Sequence, residues 1–100
     1  MATFVKTSLR VLDPTAGPVA RGLTLAARPG TLDGKVVGLL DSSKVLARAL
    51  LDGIVLELKK DHKIAGVVVR RKPTAWRIAT KEMLDELAAE SDVVINAIGD

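Results

Sequence analysis

Cysteine is absent from the 100-residue chain, histidine occurs once (His62), and the only aromatic residues are Phe4 and Trp76. Without cysteine there is no disulfide, no thiolate metal site and no cysteine nucleophile within these residues. A single histidine argues against imidazole metal ligation, so no metal and no cofactor are expected. The scarcity of aromatics removes the stacking platforms on which single-stranded nucleic acids are read. It also means that the core is built from Val, Leu, Ile and Ala. No apolar run approaches the ~20 residues of a membrane helix, and the polar stretch Met1–Arg10 lacks the apolar centre of a signal peptide. A cytoplasmic protein with no membrane partner is the expectation.

Nearly half of the residues are apolar and about a quarter are charged, the composition of a folded domain rather than a disordered segment. The net charge of +3, from 15 basic and 12 acidic residues, is small and scattered. It supports solubility more than nucleic-acid binding, which takes a dense basic stripe.

Residues 1–32 are punctuated by Asp13-Pro14-Thr15, Gly17-Pro18, Gly22 and Pro29-Gly30. They read as an irregular arm with one short candidate strand at Ser8–Leu12. From residue 33 the pattern becomes regular. Lys35–Leu40, Ile64–Val69 and Val93–Ile98 are short aliphatic runs without polar alternation, as in parallel strands covered on both faces. Between the first two, Lys44–Lys60 places Leu46, Leu50, Ile54 and Leu58 on one helical stripe, and Asp41-Ser42-Ser43 offers N-cap chemistry. Between the second and third, Lys81–Glu90 predicts a helix capped by Thr80, with Leu84, Leu87 and Ala88 inward. Residues 33–100 thus form a βαβαβ half-domain. The fold class is α/β, a Rossmann-like or flavodoxin-like three-layer parallel sheet. It is incomplete, with about three core strands and two helices beside the N-terminal arm.

Ligands of open parallel sheets bind beyond the carboxyl ends of the strands. Three segments fall at that edge, and they supply the candidate site residues Asp41, Ser42, Ser43 and Lys44, then Arg70, Arg71 and Lys72, then Asp100. The first loop has a structural reading, helix capping, and a functional one, contact with a substrate. It lacks the Gly-rich spacing of a phosphate loop. The basic triplet is either a solvated loop or a clamp for a carboxylate or phosphate, which makes a small anionic molecule the candidate ligand. Asp92 and His62 read as turn residues. Trp76 reads as packing its loop onto the domain, with lining a substrate pocket as the alternative. The last strand, an apolar edge, is a candidate surface for a homo-oligomer.

The segments Leu12–Ala16, Leu32–Lys44, Arg71-Lys72-Pro73 and Ile98-Gly99-Asp100 together resemble the N-terminal half of the UGSC family, named for a selenocysteine-Gly-Ser-Cys motif in which cysteine often replaces selenocysteine. The resemblance implies a selenol- or thiol-dependent redox-type protein in which the Gly-Asp pair directly precedes the nucleophile. It implies that the nucleophile belongs directly after Asp100, where a UGA selenocysteine codon reads as stop. The expectation is that the chain as it stands lacks the nucleophile and is inactive. A second expectation, from the residues alone, is a non-catalytic α/β module that binds an anionic small molecule or a partner chain.

Overall fold

Three aliphatic runs become three parallel strands in the computed structural model, which describes residues 8–15, 17 and 22–99. The elements follow one another as β1 (Val36–Asp41), α1 (Ala47–Asp61), β2 (Gly66–Arg71), α2 (Lys81–Glu90) and β3 (Val93–Ala97). The sheet order is β2-β1-β3, with β1 parallel to both neighbours. This is a small α/β unit with the strand order that opens flavodoxin-like sheets. Register brings the carboxyl ends level, since Asp41 of β1 stands opposite Arg71 of β2 and Ala97 of β3.

Side-chain alternation sorts the layers. Val37 and Leu39 point to one face, where they pack with Leu51 and Val55 of α1 and with Ala97, and Ile64, Val69, Val93 and Ile95 close around them. Gly38 points to the other face, towards Leu87 and Ser91 at the end of α2. The helices therefore lie on opposite faces. The half-exposed Arg70, also on the α2 side, is held by Glu86 and Glu90 of that helix.

Burial on both faces holds only for β1, the central strand. The runs in β2 and β3 are equally aliphatic, yet each is an edge, and Val67 and Val94 stay exposed. Composition records what a strand can tolerate, and its neighbours decide how much it is covered.

Helix α1 departs from the expected phase. Its buried residues are Ala47, Leu51 and Val55, one position on from the stripe Leu46, Leu50, Ile54, Leu58. Leu50 is 48% exposed and Leu51 fully buried. Two aliphatic stripes run side by side on this helix, and periodicity alone does not choose between them. The start of the helix also shifts. Its N-cap is Leu46, in left-handed conformation and with no side-chain cap, so Asp41-Ser42-Ser43 does not cap it. In α2, by contrast, Thr80 caps as expected, its hydroxyl accepting from the Met83 amide at 3.2 Å. The inner face of α2 is thinner than expected: Leu87 is buried, while Leu84 and Ala88 are exposed.

Among the described residues of 8–32 there is no helix or strand, and Ser8–Leu12 is exposed irregular chain rather than a strand. Trp76 is 86% exposed, so it does not pack its loop onto the domain. At the amino edge, Asp92 is a turn residue with a second task. Its carboxylate accepts from the Val36 amide at 2.8 Å and its own amide donates to the Val36 carbonyl, which ties the start of β3 to β1. No described helix is long and apolar enough to cross a membrane.

Candidate functional site

The carboxyl edge is organised by the loop that leaves β1. Asp41 and Ser42 are both buried. The Ser42 amide donates to the Ala97 carbonyl at 2.8 Å, and the Ser42 hydroxyl accepts from the Ile98 amide at 2.9 Å. These two bonds fasten the end of β3 to the β1 loop. On the other side, the Lys72 amide donates to the Asp41 carbonyl at 3.0 Å, and the Ser43 hydroxyl donates to the Lys72 carbonyl. The loop after β1 thus bridges both neighbouring strands.

Between Asp41 and the first turn of α1, the backbone takes two left-handed steps, at Ser43 (φ 70°) and Leu46 (φ 67°). Such a conformation is uncommon for residues other than glycine and costs about 1 kcal/mol or more for a leucine. The Asp41 carboxylate supports the first step by accepting from the Ser43 amide at 2.8 Å. The detour opens a crevice of about 420 Å³ between this loop, the start of α1 and the end of β2. Asp41, Ser43, Lys44, Leu46, Arg48 and Arg71 line it.

Arg71 is the most available cation in the crevice. Its side chain is 70% exposed and its Nε donates to the Ser43 hydroxyl at 3.2 Å. The same Nε lies 3.9 Å from Asp41 Oδ2. Arg48 reaches the crevice from α1 while its Nε pairs with Asp52 Oδ1 at 2.9 Å.

The basic triplet is split by the geometry of the strand. Adjacent residues point to opposite faces, so Arg70 turns to α2 and Arg71 to the crevice. Arg70 donates to Glu86 at 3.0 Å and to Glu90 at 2.6 Å, and the Glu86 hydrogen bond foremost, then the field of both carboxylates, holds its pKa above the ordinary value. Lys72 folds its ammonium back onto its own loop and donates to the Arg77 carbonyl at 2.8 Å. Of the residues singled out from sequence, Asp41, Ser43, Lys44 and Arg71 line one crevice. Ser42 underpins it, Arg70 and Lys72 are committed elsewhere, and Asp100 lies outside the described residues. Arg48 was missed. Its signal was its place in the first helical turn after the central strand. Among the described residues no cluster of His, Cys, Asp and Glu is arranged to hold a metal ion.

The fold and edge define a parallel α/β unit whose loop-lined crevice sits where the chain diverges from the central strand, the usual ligand position of such sheets. The chain belongs to the UGSC family, whose model matches residues 10–100. No curated protein and no solved structure matches it.

Proposed function

We propose that the crevice beyond β1 and β2 is part of a selenol- or thiol-dependent redox site. The observation that carries this reading is the double attachment of Ser42 to the end of β3, through the Ala97 carbonyl and the Ile98 amide. It delivers the chain at Gly99 beside the loop of Asp41, Ser43 and Lys44. In the family's pattern, selenocysteine or cysteine follows the Gly-Asp pair, so the nucleophile would enter beside that loop.

The chemistry of the lining suits such a group. An ordinary thiol, with pKa ~8.5, is mostly protonated at neutral pH, and nearby cations favour the thiolate. Arg71, Arg48 and Lys44 supply positive charge, and the first turn of α1, with no acidic side chain and no side-chain cap, adds its dipole. A selenol is ionised at neutral pH without such help, and there the cations serve to hold it and its anionic partner in place.

The test is the chain carrying Cys-Gly-Ser-Cys after Asp100, with its alkylation by iodoacetamide followed against pH. The first cysteine is expected to ionise below ~8.5, and Arg71→Ala to raise its pKa. Ionisation indistinguishable from that of the free peptide Gly-Asp-Cys-Gly-Ser-Cys would rule the reading out.

A further inference from the structure

We infer that residues 22–27 of the N-terminal arm dock on the open edge of β3 as a fourth, antiparallel strand, a strap that closes the sheet on that side. Such docking needs no nucleophile and is independent of the redox chemistry.

The two edges of the sheet are not alike. β1 is the only described neighbour of both β2 and β3. Edge strands are commonly guarded against further pairing by charge or proline. β2 carries Arg70 and Arg71, whereas β3, Val-Val-Ile-Asn-Ala, has neither a charge nor a proline. The α1 side of β3 is already covered, since Val93, Ile95 and Ala97 belong to the core cluster or pack against it. The α2 side is not. Val94, in register with Gly38 on that side, is 48% exposed, and Leu84 of α2 is exposed as well. An occupant of this edge must supply backbone pairing along β3 and apolar side chains over Val94.

The arm supplies both. Residues 22–27, Gly-Leu-Thr-Leu-Ala-Ala, carry no charge. In a strand, Leu23 and Leu25 share one face and Thr24 and Ala26 the other. Both leucines are 83% exposed where the arm now stands. Gly22, at φ 64°, bounds the segment on one side, and Pro29, which has no N–H to pair, bounds it on the other. The arm is already beside the edge. Residues 26–29 form one wall of a cavity of about 380 Å³, and Ala88, Asp92, Val93 and Val94 stand on the other. This fixes the direction of docking. The later end of the segment lies at the start of β3, so the earlier residues run back along β3 towards its carboxyl end. Leu25 opposite Val94 then sets Leu23 opposite Asn96 and Ala27 opposite Asp92, in keeping with the walls of the cavity. The rival occupant is a second copy of the chain. A tethered strand meets its edge at an effective concentration of about a millimolar, so at micromolar protein the chain's own arm prevails.

The full chain has no cysteine, so a pair introduced as Leu25→Cys and Val94→Cys reports on this contact alone. Paired antiparallel residues have Cα atoms about 4.5–5.5 Å apart, within disulfide reach. Air oxidation at micromolar protein is expected to consume both thiols and leave a monomer on a non-reducing gel. The control pair Leu25→Cys and Leu50→Cys, the latter on α1 across the sheet, is expected to keep its thiols. A second measurement needs no cysteine: amide exchange of the parent chain beside that of the Leu23→Asp, Leu25→Asp double variant. Both leucines are exposed in the undocked arm, so the domain itself stays folded. Exchange at the β3 amides directed away from β1 should rise about tenfold or more, with β2 unchanged. Disulfide-linked dimers would give the edge to a second copy and overturn the inference. So would free thiols in the Leu25 and Val94 pair, equal oxidation of the control pair, or β3 exchange indifferent to the two aspartates.

Discussion

Gly38 on β1 lies directly beneath Ser91 at the end of α2: a Cβ at Gly38 would stand 2.6 Å from the Ser91 hydroxyl and 3.2 Å from Leu87 Cδ2. The glycine is there because the helix returns to the sheet across the central strand with no room for a side chain. Gly38→Ala is therefore expected to destabilise by about 1–3 kcal/mol, the usual cost of overpacking. Ser91→Gly, harmful by itself through the loss of its own hydroxyl contact with Leu87, should recover part of that cost in the double variant. Urea unfolding of the four chains measures the coupling, and simple additivity would mean that the contact is not what makes glycine necessary.

The phase of α1 makes a sharper prediction. Leu51→Ala removes a fully buried side chain from the core cluster and should cost about 2–5 kcal/mol. Leu50→Ala, one residue earlier on the exposed stripe, should stay within about 0.5 kcal/mol. Thermal unfolding distinguishes them. Equal effects would place the helix in the phase read from periodicity instead.

Ser42 joins the loop after β1 to the end of β3, so its hydroxyl has a stability role that can be separated from chemistry. In Ser42→Ala the Ile98 amide loses its acceptor in a part-buried setting, at a cost of about 1 kcal/mol. Hydrogen exchange at Ile98 should accelerate. Unchanged exchange there would show that the link does not hold the end of β3.

Asp13 offers a pH test on the arm. Its carboxylate accepts from the Thr15 hydroxyl at 2.5 Å and the Thr15 amide at 2.9 Å, and these bonds, the hydroxyl's first, lower its pKa below the ordinary value of 3.8. The charged form is the one that is bound. The turn's contribution is thus fully present above that value and is lost as pH falls through the lower, folded one. Carboxyl NMR should give a midpoint under 3.8, shifted upward in Thr15→Val. A midpoint at or above 3.8 in the parent chain would contradict the turn.

Much of this was readable in the order of residues. The three aliphatic runs, the helix after each of the first two, and the Thr80 cap depend on periodicity and on local hydrogen-bond chemistry, which act over a few residues. The carboxyl-edge loops followed from the parallel arrangement that those elements impose. What sequence could not divide was the triplet Arg70-Arg71-Lys72. It reads as one basic patch, and only alternation about the strand, with Glu86 and Glu90 waiting on one face and the crevice on the other, gives each cation a different task.

The sequence by itself determined the kinds of element, their order, and the edge at which polar loops gather, because each is set by neighbours within a turn of helix or a strand's length. Tertiary structure alone decided which strand lies in the middle, which of two stripes on α1 is buried, and that Arg48 and Arg71, 23 positions apart in the chain, line the same crevice. Those choices are made by packing between segments distant in sequence, where the area buried and the groups that meet depend on every element at once.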